Sequence, residues 1–133
     1  MSLCFEVFAI LLFWKCLAIM LAGGLGSLLR YAVTEALEHF VGKSFPWGTM
    51  LVNLLGCFVF GILWALFTKG QLNDDQRLIL LVGFLGGFTT FSSFGFHNEE
   101  MLTHAQWGQL LANVLIQNIV GIAAVWLGIR LAS

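Results

Sequence analysis

Residues 83–94, Gly-Phe-Leu-Gly-Gly-Phe-Thr-Thr-Phe-Ser-Ser-Phe, combine residue types that can bind an ion inside a membrane. Within one hydrophobic run they place three glycines, four hydroxyl side chains and four phenylalanines. Glycine has low helix propensity, and Ser and Thr can bond nearby backbone groups, so the hydrogen-bond ladder of a helix is weakened here. Backbone groups released at membrane depth need a partner in the protein or in a polar cavity. The segment therefore predicts a broken membrane helix and a candidate ion or substrate site.

A second interpretation of this segment is ordinary helix packing. Small residues let two membrane helices approach closely, and Ser and Thr often bond to their own helix. Against this interpretation, Phe91 and Phe94 are three residues apart, and so lie on one helical face among the hydroxyls. Close packing alone would not need both kinds of side chain.

Asn53 is the second chemical signal, because its carboxamide lies within an apolar run. Three further residues fall on the same helical stripe, namely Thr49, Gly56 and Phe60. The two N–H donors and the carbonyl acceptor of Asn53 need partners inside hydrocarbon. Two interpretations follow: Asn53 joins two helices, or it lines an ion path.

The last apolar run also carries amides. Asn113, Gln117 and Gly121 share one helical face, and Asn118 lies beside it. Arg30 ends the first apolar run, where a guanidinium either marks the membrane edge or stands at the mouth of a polar path and attracts anions. Neutral N–H and O–H donors with such an entrance suit an anion that would otherwise be dehydrated at high cost.

Ionisable groups are scarce in the middle of the apolar runs. Glu6, at the edge of the first run, is the only carboxylate available for proton coupling. Proton-driven transporters usually need a carboxylate inside the membrane. The sequence therefore favours passive conduction.

The elements that must position these residues are four membrane helices. The chain has 133 residues, of which 59% are hydrophobic and 10% charged, a composition typical of an integral membrane protein with one domain over residues 1–133. The predicted spans are about 8–33, 47–67, 77–102 with a break near 86–93, and 107–131. The third span begins about 10 to 12 residues, or roughly 16 Å, before its glycines, so the break is expected near the middle of a core of about 30 Å. A net charge of −1 gives no basic face, which excludes nucleic acid as a partner.

Four helices with one amide stripe each can hardly enclose a path alone. Two copies related by a two-fold axis in the membrane plane would resemble an inverted repeat. The basic residues are divided between the two sides of the membrane as Lys15, Lys69, Arg77 and Arg130 against Arg30 and Lys43. This weak bias permits insertion in both orientations.

The sequence resembles the small bacterial fluoride channels of the Fluc family, also called CrcB. The resemblance covers about residues 20–125. It rests on Arg30-Tyr31 after a Gly-rich segment, on residues 46–49 (Pro-Trp-Gly-Thr) with Asn53 and Gly56, on residues 83–94, and on the pattern from Asn118 to Gly121.

The resemblance implies an all-α membrane protein of four transmembrane helices that forms an antiparallel, dual-topology homodimer. It implies no enzymatic activity, but passive export of cytoplasmic fluoride across the bacterial inner membrane, with a structural sodium ion at the dimer centre. The backbone carbonyls of Gly86 and Thr89 would hold the sodium ion. The positions implied for the fluoride path are Phe91 and Phe94 as pore phenylalanines, Asn53 as pore asparagine, Arg30 in the vestibule, and Thr90, Ser92, Ser93 and Asn118 along a polar track.

The chain departs from the family pattern at two places. Relatives often continue after the motif with Ser-Ala-Glu, whereas this chain has Gly95-Phe96-His97, and Val114 and Ile122 stand where relatives often have Tyr or Ser. Two other functions fit the size and span number: a small proton-coupled four-span multidrug exporter, which would depend on Glu6, and a membrane anchor that assembles with other subunits.

Overall fold

The computed structural model describes residues 2–133, with side chains described from Glu6 onward, and all secondary-structure elements in this part of the chain are helices. The α-helices are α1 (Ser2–Val41), α2 (Trp47–Thr68), α3 (Asp74–Arg77), α4 (Gly86–Phe88), α5 (Phe91–Thr103), α6 (Trp107–Leu115) and α7 (Gly121–Ala132). Two wider π-helical stretches, π1 (Leu78–Leu85) and π2 (Ile116–Val120), join α3 to α4 and α6 to α7. Such stretches are rare and often lie at functional sites.

Four helical segments are long and apolar enough to cross a membrane: Glu6–Val41, Trp47–Thr68, Asp74–Thr103 and Trp107–Ala132. The prediction of an all-helical protein with four such segments is confirmed. Helix α1 continues to Val41, well past residue 33, because Glu35, Leu37 and Glu38 favour a helix even after the apolar run has ended. Gly42, with φ of 87°, then ends it.

The start of the third segment is fixed by a capping box. The Asn73 side chain accepts from the Gln76 N–H at 2.8 Å, and the Gln76 side chain accepts from the Asn73 N–H at 2.9 Å. Both orphan donors at this helix start are thereby satisfied. An ion pair of 2.7 Å between Lys15 and Asp75 places the first turns of α3 beside α1.

Helix α1 packs against π1 and α4 through glycines. A Cβ atom on Gly26 would clash with the backbone of Phe84 and Phe88, and one on Gly87 would clash with the backbone of Gly23. These backbones touch because no side chain separates them. The glycines of the first span therefore form a close helix contact.

Helices α2 and α7 form the other close pair. Gly61 lies against the Val125 carbonyl, and Gly128 lies against the Phe58 carbonyl, so each helix supplies one glycine to the crossing. The core between the two pairs is small and centres on Val52, Leu85 and Phe88. In the sequence, the Thr89–Thr90 segment directly follows Phe88 of this core.

Candidate ion-conduction site

Two extended residues separate α4 from α5. The last backbone bond of the preceding helical run joins the Thr89 N–H to the Leu85 carbonyl at 2.9 Å. Thr89 then has φ −86° and ψ 159°, and Thr90 has φ −151° and ψ 114°. Thr90 caps α5, because its Oγ1 accepts from the Ser93 N–H at 3.2 Å.

The extended residues release backbone carbonyls from the helical ladder. In an unbroken helix the Thr90 N–H would donate to the Gly86 carbonyl, and the Ser93 N–H to the Thr89 carbonyl. Here those two N–H groups donate to the side chains of Asn53 and Thr90 instead. The Gly86 and Thr89 carbonyls are therefore free of their usual helical partners.

Side chains from α1 reach two carbonyls of this segment. Arg30 Nη1 donates to the Thr89 carbonyl and Ser27 Oγ to the Gly87 carbonyl, each at 3.4 Å. A carbonyl oxygen has two lone pairs, so the Arg30 contact leaves one on Thr89. Arg30, expected at a vestibule, thus points its guanidinium at the extended backbone.

Asn53 on α2 forms hydrogen bonds with both backbone polar groups of Thr90. Its Oδ1 accepts from the Thr90 N–H at 2.8 Å, and its Nδ2 donates to the Thr90 carbonyl at 3.1 Å. The second Nδ2 proton goes to Gln117 Oε1 on π2, at 2.7 Å. Both donors of Asn53 are occupied, so the helix-joining interpretation describes its contacts in this structure, and an anion that accepts from Asn53 must replace one of these acceptors.

The hydrogen bonds continue beyond Gln117. Gln117 Nε2 donates to Asn113 Oδ1, and Asn113 Nδ2 donates to Asn98 Oδ1, both at 2.8 Å. The four residues Asn53, Gln117, Asn113 and Asn98 are called the amide chain below. Asn113 is completely buried, with 0% of its surface exposed.

A groove of about 460 Å³ opens beside this segment. It is lined by residues of α2, π1, α4, α5, π2 and α7 together with the Thr89–Thr90 segment; they include Asn53, Phe60, Gly86, Thr89, Thr90, Phe91, Phe94, Gln117 and Asn118. The Phe91 and Phe94 ring centroids are 5.5 Å apart, which confirms that the two rings share a face. Phe91 is 82% exposed, so its ring borders the open side of the groove.

Hydroxyl groups cluster at the start of α5. Thr90 Oγ1 lies 3.1 Å from Ser92 Oγ and donates to Ser93 Oγ at 3.1 Å. Asn118 is exposed, and its Nδ2 donates to the Val114 carbonyl of its own helical run at 2.8 Å. One Nδ2 proton of Asn118 is left over for an ion in the groove.

The sequence of the chain, compared with those of known proteins, identifies its family. Residues 17–129 match the family described as CrcB-like protein, Camphor Resistance (CrcB). The chain belongs to this family. The family resemblance inferred from its motifs is thus confirmed.

Three similar proteins with assigned functions share one name. A protein of Nitrosococcus oceani called Fluoride-specific ion channel FluC is 43% identical over 122 residues, covering 90% of this chain and 98% of the relative. Proteins of the same name from Solibacter usitatus and Solidesulfovibrio magneticus are 47% identical over 119 residues and 43% identical over 114 residues. These two alignments cover 89% and 85% of this chain, and 98% and 91% of the relatives. The names describe channels and not enzymes, in agreement with the expectation that this CrcB-family chain is not an enzyme.

A second cavity, of about 430 Å³, lies near one end of the bundle. His97, at the position where the resemblance leads one to expect Glu, lies 3.4 Å from both Thr49 Oγ1 and Glu100 Oε2. Glu38 bonds Lys43 at 3.1 Å in the same cavity and raises the pKa of that lysine. This end therefore carries charges of both signs.

Most of the predicted site residues come together in this CrcB-family chain. The groove brings together Asn53, Gly86, Thr89, Thr90, Phe91, Phe94 and Asn118, while Arg30 reaches Thr89 from α1, and Ser92 and Ser93 reach Thr90 from α5. Gln117 and Asn113 were recognised only as part of a helical face, and Asn98 was missed. Their spacing showed which amides share a face, but nothing in the sequence pairs Asn98 with Asn113 across two helices.

Proposed function

We propose that this chain is a passive, fluoride-selective channel of the bacterial inner membrane that lets cytoplasmic fluoride leave the cell. The observation that carries the proposal is the groove in which two phenylalanine rings, hydroxyls and an amide meet beside the extended backbone of Thr89 and Thr90. The name shared by the relatives supplies the identity of the ion.

Fluoride holds its hydration shell tightly, so a path must replace water by other donors. The residues proposed for the path are Asn53, Thr90, Phe91, Ser92, Ser93, Phe94 and Asn118. Hydroxyl and amide donors would bond the ion directly, and phenylalanine edges carry the positive part of the ring quadrupole. Arg30 would raise the local anion concentration at the vestibule.

The extended residues between α4 and α5 support a helix break near mid-membrane as part of this proposal. Thr89 and Thr90 lie 15 and 16 residues after Asp74, where the helical segment that ends at Thr103 begins. At about 1.5 Å a residue this is about 23 Å, close to half of the roughly 40–45 Å that a bilayer measures with its headgroup regions. The break would place the groove at the depth where dehydration is most costly.

A homodimer of antiparallel copies is the assembly we propose. The groove is open on one side, and residues on that side, such as Gly86, Phe91 and Asn118, are exposed in the single chain. A second copy inserted in the opposite orientation would close each path with its own residues. Dual topology agrees with the weak charge bias of the sequence.

A structural sodium ion fits the released carbonyls. Oxygen atoms of unwound backbone are suitable ligands for Na⁺, and Gly86 and Thr89 each offer such an oxygen after the helical ladder is interrupted. The ion would be held by these carbonyls from both copies. When bound, it would neutralise the dipole of the Gly86 oxygen, which has lost its helical partner, and would use the second lone pair of the Thr89 oxygen, whose first accepts from Arg30.

Fluoride efflux from liposomes tests the function directly. Purified protein, verified as a dimer, is reconstituted in vesicles loaded with fluoride or chloride, and release is followed with ion-selective electrodes without a pH gradient. Rapid release of fluoride and retention of chloride are expected. Release that requires a proton gradient, or no fluoride release from intact dimer, would contradict a passive fluoride channel.

A further inference from the structure

We infer that Gln117, Asn113 and Asn98 are positioning residues that hold the Thr90 backbone and the start of α5 through a hydrogen-bonded chain of four amides. None of the three contacts the Thr90 backbone directly; each acts through Asn53. The inference deepens the proposed function and rests on it, because the segment positioned is the wall of the proposed fluoride path.

The direction in which hydrogen bonds are donated along the amide chain is determined by one group that can only donate. The Thr90 N–H donates, so Asn53 presents its carbonyl oxygen to it and its Nδ2 to Gln117. Gln117 must then accept through Oε1 and donate to Asn113, and Asn113 in turn donates to Asn98. A rotated amide at any member would bring two donors or two acceptors together and break the chain.

Burial makes the four residues of the amide chain depend on one another. Asn113 has no exposed surface, and Asn53 and Gln117 are only partly exposed. A buried amide left without a partner costs more than its hydrogen bond contributes when made, and neighbouring bonds polarise one another. Loss of one middle member therefore leaves unpaired groups on both sides of it.

The amide chain holds α5 at two points. Thr90 caps the start of α5, and Asn98 lies on the same helix near its middle. Phe91 and Phe94 lie between these two points. The distance from α2 and α6 to the phenylalanines is therefore fixed by hydrogen bonds on either side of them, and not by apolar packing alone.

Backbone NMR tests the positioning without any transport. In uniformly ¹⁵N-labelled full-length protein, Gln117→Met keeps the side-chain length but removes the acceptor and donor, and Asn113→Leu removes the next member. Both are expected to move the Thr90 amide proton upfield, since its bond to Asn53 weakens. Leu111→Ala, an exposed apolar position on α6, is the control and should leave this resonance in place. An unchanged Thr90 resonance in both folded variants would overturn the inference.

A titratable side chain at position 117 tests whether the amide chain affects fluoride conduction. Gln117→Glu accepts from Asn53 but donates to Asn113 only when protonated, so fluoride efflux is expected to fall roughly tenfold at neutral pH and to recover as the pH is lowered. Val125→Glu places the same charge at the groove wall, outside the amide chain and outside the residues proposed for the path. An equal pH dependence in Val125→Glu would show that charge alone acts, and would overturn the inference. A wild-type protein without fluoride efflux but with the expected Thr90 shifts would refute the proposed function and leave the positioning role in place.

Discussion

At the scale of single residues, Thr90 connects the fold to the proposed path. Its hydroxyl caps α5, and its backbone is held on both polar groups by Asn53. The extended conformation is thus stabilised from two sides, where each contact satisfies a group that the helix no longer pairs.

Replacing Thr90 by Val keeps the β-branched shape and removes the cap. We expect the free energy of unfolding to fall by about 1 kcal/mol, the usual cost of a lost N-cap. Chemical unfolding in detergent measures the change. Thr90→Ser is the matched control, because it retains the oxygen and should remain close to wild type; equal losses in both variants would contradict a capping role.

Phe91 allows a functional test that spares the fold. Because its ring is 82% exposed in the single chain, Phe91→Ile removes little intramolecular packing, whereas it removes the aromatic edge proposed to face the ion. Fluoride efflux should fall at least about tenfold, which corresponds to a rise of about 1.4 kcal/mol in the barrier to conduction. The dimer should persist on gel filtration. Normal efflux would remove Phe91 from the path.

Asn53→Leu should have two effects, in contrast to Phe91→Ile. It leaves both the Thr90 N–H and the Thr90 carbonyl without the partners that they have now, so stability and fluoride efflux should fall together. Unfolding in detergent and efflux from liposomes, measured on the same preparation, check this. Reduced efflux at unchanged stability would indicate that Asn53 serves the ion and not the fold.

At the scale of elements, the apolar runs predicted the four spans. The exact extent of α1 was not predictable from hydropathy, because residues 34–41 mix polar and apolar side chains and include good helix formers such as Glu35, Leu37 and Glu38. The π-helical stretches have no distinct composition. The amides of the fourth span were visible as a face, but Gln117 and not Asn118 meets Asn53, since that choice depends on how α2 and π2 cross.

Two glycines on α1 provide a matched test of helix packing. A Cβ atom at Gly26 would clash with the backbone of Phe84 and Phe88, whereas one at Gly24 meets nothing within 4 Å. Gly26→Ala should therefore destabilise the fold by roughly 1–3 kcal/mol through overpacking. Gly24→Ala should be neutral or slightly stabilising.

Thermal unfolding followed by circular dichroism compares the two variants in the same detergent. A lower midpoint for Gly26→Ala alone would support the close contact of α1 with π1 and α4. If both variants match wild type, the two helical elements are farther apart than described here.

At the scale of the whole molecule, Gly86 and Thr89, whose carbonyls are released from the helical ladder, both line the open groove. A membrane does not supply hydrogen bonds to a bare backbone oxygen, so this groove is incomplete in a lone copy. A second copy with a bound cation would cover the open groove and give the released carbonyls a partner. Assembly, sodium binding and conduction are therefore expected to depend on one another.

Gly86→Ala tests this dependence. In the single chain a Cβ atom at Gly86 meets only the Leu81 carbonyl, at 3.9 Å, so the protomer should fold normally. In the proposed dimer the same Cβ atom would lie beside the carbonyl that holds sodium and would obstruct the approach of the partner. Gly95→Ala, which also meets open space, is the control on α5.

Light scattering of the detergent complex, in sodium and in N-methylglucamine buffers, measures the dimer fraction. Wild type and Gly95→Ala should be dimeric and more stable in sodium, because an ion that binds only the assembled state stabilises it. Gly86→Ala should keep its helix content, lose the sodium-dependent increment and conduct little fluoride. A fully dimeric, sodium-sensitive Gly86→Ala protein would contradict the proposed placement of both the ion and the two-fold contact at Gly86.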